Sequence, residues 1–376
     1  MSGSPLRVAV LGAGTVGREV IHALLERPDE LRPSDGPGLT LGAIAVRDVD
    51  RAVAAGLPAS IVSDAPAHLV ADEDVDVIVE LMGGDEPAHT LIAAALAMSK
   101  SVVTANKHVI AHHGAELEGI ARRTGAVLRY EAAVGGGIPV LGPLATDLAA
   151  NRVERVRGIV NGTTNFIVTA MTDPAGPLDF AAALAEAQRL GYAEADPSGD
   201  IEGHDAVNKL VILARLAFDR WLDPAAIATR PDGADGPAGA GVTTVSLADQ
   251  EDARRAGRII RLVATASAGG LASDATAAAV LPTALPLDSA LGRTTGVRNR
   301  IEVDAVPVGR IGFDGPGAGG AATSSAVLGD LIAVARRAGS TWGSRPPAAR
   351  PSGDPIARPD RPVMTSASGI RYPIDD

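Results

Sequence analysis

The run LRVAVL (6–11) is apolar without alternation, which predicts a strand buried on both faces. Gly12 to Gly17 reads as a turn, after which Val16, Val20, Ala23 and Leu24 recur at helical spacing and predict a helix over 16–27. A loop rich in Pro, Gly and Asp (28–38) leads to a second strand at 39–46, and VDVIVEL (75–81) supplies a third after an Ala-rich stretch. Beyond it the pattern predicts a helix at 87–98, a strand at 101–105, a helix at 112–124 and a strand at 126–134. Strands and helices alternating at this spacing build a doubly wound parallel sheet with both faces covered.

After GGGIPV (135–140) the rhythm changes. A helix is expected at 141–151, a strand at 153–160, helices at 178–190 and 203–219, strand-like runs at 275–281 and 301–312, and a last helix at 324–337. Segment 230–241 (RPDGADGPAGAG) reads as a flexible excursion. From 341 to 376 the chain is expected to be a Pro-rich flexible tail, because 344–362 is dominated by Pro, Arg, Ala and Asp. The fold class expected is therefore α/β, with domains at 1–134 and 135–310, a segment 311–340 and the tail.

Composition narrows the function. Aromatic residues make up 2% of the 376 residues, too few for the stacking platforms of a single-strand nucleic-acid binder. A formal net charge of −11 leaves no sequence-wide basic footprint for DNA or RNA, so small soluble partners are expected. The absence of cysteine excludes disulfides, thiolate metal sites and a Cys nucleophile. The N-terminus carries no secretory pattern and apolar stretches fall short of the roughly 20 residues a membrane span needs, so a cytoplasmic protein is expected.

GAGTVG (12–17) is a G-x-G-x-x-G that follows a strand and opens a helix. Gly12 permits the tight turn, Gly14 lets backbone approach a pyrophosphate, Gly17 allows close helix–strand packing, and the first helical N–H groups, from Thr15 and Val16 onward, face the phosphates. This predicts a Rossmann-type domain for NAD or NADP. Arg47 and Asp48 stand where an Arg accommodates a 2′-phosphate or a carboxylate binds a ribose hydroxyl. Arg47 tips the expectation to NADP, against the plain reading of a solvated ion pair.

Lys107, in TANKHVIA (104–111), lies just past a strand's C-terminal end, the ligand-binding edge of open α/β sheets; the plain alternative is a solvated lysine. In YEAAVGGGIPV (130–140) three glycines beside Glu131 fit either a hinge or an oxygen-rich loop for a hard cation. In GYAEADPSGDIEGHDAVNKL (191–210) Asp205 and Lys209 are four apart and share a helix face, with Glu194, Asp196, Asp200 and Glu202 upstream. The helix runs on into LVILARLAF, so Lys209 should be desolvated beside carboxylates, a setting for proton transfer, and the acidic groups suit an amine-bearing substrate. The seven histidines show no metal-site spacing and receive no catalytic role; His204 is read as structural.

These segments together resemble homoserine dehydrogenase. The resemblance rests on GAGTVG (12–17), TANK (104–107), EAAVGGGIP (131–139), GIVNGTTNFI (158–167), GYAEADPSGDIEGHDAVNK (191–209) and GPGAGGAATSSAVLGDL (315–331), and covers about residues 1–340. It implies NAD(P)-dependent interconversion of L-aspartate 4-semialdehyde and L-homoserine on the route to threonine and methionine, with an α+β domain at 135–310 for substrate binding and homodimerisation. It also implies Lys209 as proton donor with Asp205 beside it, Lys107 near nicotinamide and substrate, and Glu194 and Asp200 in the substrate's acidic wall. Thr104 and Gly317 fall to the cofactor, and 311–340 to a segment returning to the cofactor domain. Glu131 with the backbone of Val134, Gly136 and Ile138 would hold a sodium ion. No C-terminal regulatory domain is expected. A silent dinucleotide sensor, the reading from another class, would need neither lysine.

Overall fold

The computed structural model describes residues 4–234, 240–269, 276–348, 351 and 356–376. The chain divides into two compact units, Met1–Leu148 with Ala318–Arg350 and Ala149–Gly317 with Pro351–Asp376. The first unit runs β1 (Leu6–Leu11), α1 (Thr15–Glu26), β2 (Leu39–Ala45), α2 (Val49–Ala54), β3 (Val62–Ser63), α3 (Pro66–Ala71), β4 (Val77–Glu80), α4 (Ala88–Ala97), β5 (Ser101–Thr104), α5 (Lys107–Thr124), β6 (Leu128–Arg129) and α6 (Leu141–Ala145). All its strand pairings are parallel, in the order β3-β2-β1-β4-β5-β6. The order reverses between β1 and β4, which puts the ligand crevice of a Rossmann sheet at the C-terminal ends of those two strands. Val8 and Val10 are fully buried, the consequence of an apolar run covered on both faces.

The second unit contains β7 (Arg152–Ile159), α7 (Gly162–Ala170), α8 (Phe180–Arg189), α9 (Ser198–Ile201), α10 (His204–Phe218), α11 (Leu247–Arg255), β8 (Arg258–Ala268), β9 (Thr276–Pro286), β10 (Arg298–Val306) and β11 (Gly309–Pro316). Its five strands are antiparallel in the order β11-β10-β7-β8-β9, with α7, α10 and α11 packed against β8. The register sets Arg157 opposite Glu302 and Arg155 opposite Asp304, so opposite charges face each other across strands. The chain then returns to the first unit as α12 (Gly320–Ala335), whose Val327, Leu331 and Val334 join Val20, Ile21 and Leu24 of α1 in one core. Each such side chain contributes about 1.5–3 kcal/mol by leaving water.

Several expectations are corrected. The strand expected over 126–134 stops at Arg129, because Asp330 accepts the Glu131 N–H at 2.8 Å and Gly135 and Gly136 turn the chain through positive φ (74° and 58°). Residues 135–148 stay with the first unit, since Glu131 accepts the backbone N–H groups of Val140, Leu141 and Gly142. The helix expected over 141–151 ends at Ala145. The run 258–268, assigned no element above, is the long strand β8. Residues 311–317 belong to the second unit, because β11 pairs with β10 at eight successive positions from Gly309 to Pro316. Of the excursion at 230–241, residues 235–239 lie outside the described residues.

The tail is the largest correction. Trp342 is buried in the first unit beneath the Arg122 guanidinium, and β12 (Val363–Thr365) pairs with β13 (Arg371–Pro373) in the second. Tyr372 is fully buried among Ile167, Ala183, Ile260 and Ala284. Asp375 is buried with Arg155, Arg157 and Arg361. Average composition hid these anchors: two aromatic side chains and one multiply paired carboxylate supply the burial that the surrounding Pro, Arg and Ala do not.

Candidate active site

The glycine turn has the geometry its motif requires. Gly12 has φ of 103°, and a Cβ there would lie 2.7 Å from the Leu81 carbonyl oxygen. A Cβ on Gly17 would lie 2.0 Å from the Gly12 carbonyl oxygen, whereas a Cβ on Gly14 would meet nothing within 4 Å. Gly12 and Gly17 allow the close approaches of the turn, and Gly14 leaves open space where backbone can meet a phosphate. Thr15 and Val16 open α1, and its N-cap, Gly14, offers no side-chain acceptor, which suits the helix end to an anionic ligand. A pyrophosphate fits this cradle.

At the end of β2 the structure separates the neighbouring charges. Asp48 caps α2, accepting the Arg51 N–H at 2.9 Å, and Arg47 is exposed. The plain reading of an Arg47–Asp48 ion pair gives way to a capping carboxylate.

Past β4 and β5, a polar network fixes two loops. Glu80 is fully buried; its Oε1 accepts the Met82 and Gly83 N–H groups (2.8 and 3.2 Å), and its Oε2 accepts the Thr104 hydroxyl at 2.6 Å. Burial holds the Glu80 carboxyl above the usual carboxylate range, against the hydrogen bonds from Thr104, Met82 and Gly83. Thr104 Oγ1 in turn accepts the Asn106 N–H, and Asn106 caps α5 at Val109 while donating to the Gly84 carbonyl. Thr104 is fully buried with its hydroxyl turned to Glu80, so it holds the loop instead of presenting itself to a ligand. Lys107, half-buried, is the first residue of α5, set in place by this cap.

Glu131 sits at a second turn of the same unit. Its carboxylate takes three backbone N–H groups at 2.7–2.9 Å, leaving acceptor capacity on Oε2. Burial and the neighbouring Asp330 carboxylate push the Glu131 carboxyl up. Val134, Gly136 and Ile138 are buried on the turn that follows. A carboxylate oxygen with backbone carbonyls is a donor set for a hard cation, and these residues fit one.

In the second unit the lysine on α10 is buried in a polar chain. Lys209 Nζ donates to the Val160 carbonyl and to Asp205 Oδ2, both at 2.6 Å, and the Lys209 and Asp205 side chains are 10% and 9% exposed. Asn161 Nδ2 reaches Asp205 Oδ2 at 2.8 Å and Asp200 Oδ1 at 2.7 Å. Its Oδ1 accepts the Thr164 N–H at 2.9 Å and so caps α7. One asparagine thus ties two carboxylates and a helix start into one unit, and sequence reasoning passed it over. Its signal was there in the NGTTN motif, an asparagine ahead of a helix. Glu194 stands apart from these hydrogen bonds in an exposed loop, which Thr163 Oγ1 tethers through the Tyr192 carbonyl at 2.7 Å. Gly317 is packed on Asn299, whose Cγ would lie 2.1 Å from an added Cβ; that packing explains the glycine.

Two family models match the chain: the homoserine dehydrogenase NAD binding domain over residues 12–131 and homoserine dehydrogenase over 139–332. The chain belongs to the homoserine dehydrogenase family. It is 45% identical to the homoserine dehydrogenase of Corynebacterium glutamicum over 336 residues, 89% of this chain and 73% of that one. Against the Mycobacterium bovis enzyme the identity is 44%, with 91% and 75% covered. The crystal structure of a homoserine dehydrogenase from Thiobacillus denitrificans superposes with a TM-score of 0.84 at 36% identity, covering 95% of this chain and 81% of that one. A hyperthermophilic archaeal homoserine dehydrogenase in complex with NADPH gives 0.70 at 28% identity, with 88% and 97% covered. The protein is an NAD(P)-dependent oxidoreductase acting on a CH–OH group, and it interconverts L-aspartate 4-semialdehyde and L-homoserine in threonine and methionine biosynthesis.

Proposed function

We propose that Lys209 is the proton donor of this reaction and that Asp205 and Asn161 position it. The observation that carries the reading is the buried Lys209–Asp205 pair in reach of a single asparagine. When bound, the nicotinamide supplies or accepts the hydride. In the direction of homoserine, the Lys209 ammonium gives its proton to the aldehyde oxygen as negative charge grows there, and the neutral amine takes the proton back in reverse. Asp205 aims the ammonium by accepting its hydrogen bond at 2.6 Å. Asp200, oriented by Asn161, and Glu194 supply negative charge for the substrate's ammonium group. Lys107 gives a second positive charge at the cofactor unit, for a substrate or cofactor oxygen.

Gly12, Gly14, Gly17 and the N–H groups of Thr15 and Val16 hold the pyrophosphate, and exposed Arg47 meets a 2′-phosphate, so NADP is preferred to NAD. Engagement of Asp48 as a helix cap supports that preference by removing the competing carboxylate. Glu131, with carbonyls of Val134, Gly136 and Ile138, binds sodium; melting temperature should then rise with sodium chloride over choline chloride at equal ionic strength. Among the described residues no helix is long and apolar enough to cross a membrane, and we place the enzyme in the cytoplasm as a homodimer. Light scattering near 38 kDa would refute the dimer.

The deciding experiment follows nicotinamide absorbance with L-homoserine and either NADP or NAD. Faster reduction of NADP, with a roughly tenfold rise in its KM in Arg47→Ala and little change for NAD, is expected from loss of one charge-assisted phosphate contact. Equal KM changes for both cofactors would remove Arg47 from the 2′-phosphate.

A further inference from the structure

Outside the glycine turn and the Lys107 loop, the first unit gathers imidazoles and carboxylates from two helices. His89 is on α4; His113 and Glu116 are three apart on one face of α5. One ligand atom from each of His89, His113 and Glu116 lies within 4.8 Å of the other two. The His89 and His113 rings stack at 3.8 Å between centroids, 15° from parallel. Sequence spacing gave no sign of this, because the donors come from separate elements.

His89 Nε2 is buried and, among the described residues, lacks a hydrogen-bond partner. Glu116 Oε2 lies 3.8 Å from it, too long for a hydrogen bond. Two ligands on one tetrahedral zinc, each about 2.0–2.2 Å from the metal, stand roughly 3.4 Å apart, so binding requires the three donor atoms to close in from within 4.8 Å and one imidazole to turn out of the stack until both ring lone pairs meet the ion. The outer groups are also in place. Glu86 Oε1 holds His89 Nδ1 at 3.2 Å, and Asp85 Oδ1 holds His113 Nε2 at 2.9 Å. Carboxylates on ring nitrogens orient metal-bound histidines and raise their basicity. The side chains of His89, His113 and Glu116 are 18%, 27% and 39% exposed, so an ion can enter and keep a water ligand.

We propose that His89, His113 and Glu116 form a site for one divalent transition ion of the zinc class, distinct from the glycine turn and from Glu131. Two imidazoles and a carboxylate favour such an ion over calcium or magnesium, which take oxygen ligands. The site stands independently of the roles proposed for Lys209 and Lys107.

The test uses the untagged full chain without cofactor. Zinc is titrated in competition with a chromogenic chelator, and cobalt(II) is titrated for its visible ligand-field bands. One equivalent of zinc is expected, with tetrahedral-type cobalt absorption. His89→Gln and His113→Gln should each weaken zinc binding about 100-fold and Glu116→Gln about 10-fold, in keeping with losses at metal sites; His22→Gln should leave it unchanged. Circular dichroism of metal-free protein checks each variant's fold. If a histidine change disturbs it, half-buried Glu116→Gln carries the test. Failure to compete for zinc, or binding that survives in the folded His89 and His113 variants or in Glu116→Gln, overturns the proposal.

Discussion

The glycine turn at the end of β1 and the polar chain at the start of α10, the two places proposed above to meet cofactor and substrate, use different materials. At the glycine turn the working groups are backbone N–H, and residues are chosen for what they lack: added Cβ atoms on Gly12 and Gly17 would lie 2.7 and 2.0 Å from carbonyl oxygens, while Gly14 keeps space open. At α10 the working groups are side chains, Lys209, Asp205 and Asn161, each placed by hydrogen bonds to the others. A backbone site fails by steric closure and takes binding with it. A side-chain site can lose its chemistry with the fold intact.

Lys209→Ala draws that distinction most sharply. A positioned general acid contributes about 10²–10⁴-fold, so kcat should fall by that range while circular dichroism and NADPH fluorescence titration stay near those of the unaltered enzyme. Near-normal turnover would place the proton donor elsewhere. Gly17→Ala should behave in the opposite way: the 2.0 Å approach forces α1 off its strand, costing about 1–3 kcal/mol of stability. NADPH affinity should drop at least tenfold, and any turnover left at saturating cofactor should be close to normal. A variant that binds NADPH normally would mean that the turn relaxes and that tight packing there is not what holds the phosphates.

Asn161 tests whether the side-chain site is one unit. Asn161→Asp keeps a capping oxygen for Thr164 but removes the donor that faces Asp200 and Asp205, and sets a third carboxylate beside them. Hydrogen bonds to charged partners contribute about 1.5–3 kcal/mol to stability, so melting temperature should fall, and kcat/KM measured well below it should fall roughly 10–100-fold. A fall in stability with kcat/KM unchanged would make Asn161 a structural residue alone.

How much of this the sequence made legible follows from the same contrast. The glycine turn could be read because its constraint is local: glycines at fixed spacing between a strand and a helix leave few other structures. The pair Asp205–Lys209 could be read because four residues on one helix bring side chains together. Asn161 comes to Asp205 across 44 positions, and Glu80 to Thr104 across 24; spacing carries no trace of such meetings. The hairpin of β12 and β13 was hidden by averaging, since Tyr372 and Asp375 do their anchoring within a stretch whose mean composition predicts no order. The cluster of His89, His113 and Glu116 was missed because α4 and α5 contribute separately.

Glu80 offers the finest test, because it is a side chain serving the backbone site. Burial raises its carboxyl above the ordinary value of 4.5, so above that pH the folded protein retains a proton that the unfolded chain has released. Stability from this group is therefore greatest at low pH and declines as pH rises from about 4.5 through the folded-state value. Glu80→Gln keeps a carbonyl oxygen for the Met82 and Gly83 N–H groups but cannot ionise. Its melting temperature relative to the unaltered enzyme should climb by about a degree between pH 5 and pH 8, about what 1 kcal/mol gives in a chain of this size. A difference that stays flat with pH would mean that the carboxylate is ionised in the folded state without penalty, with its three hydrogen bonds, not its charge, setting the loop that leads to Lys107.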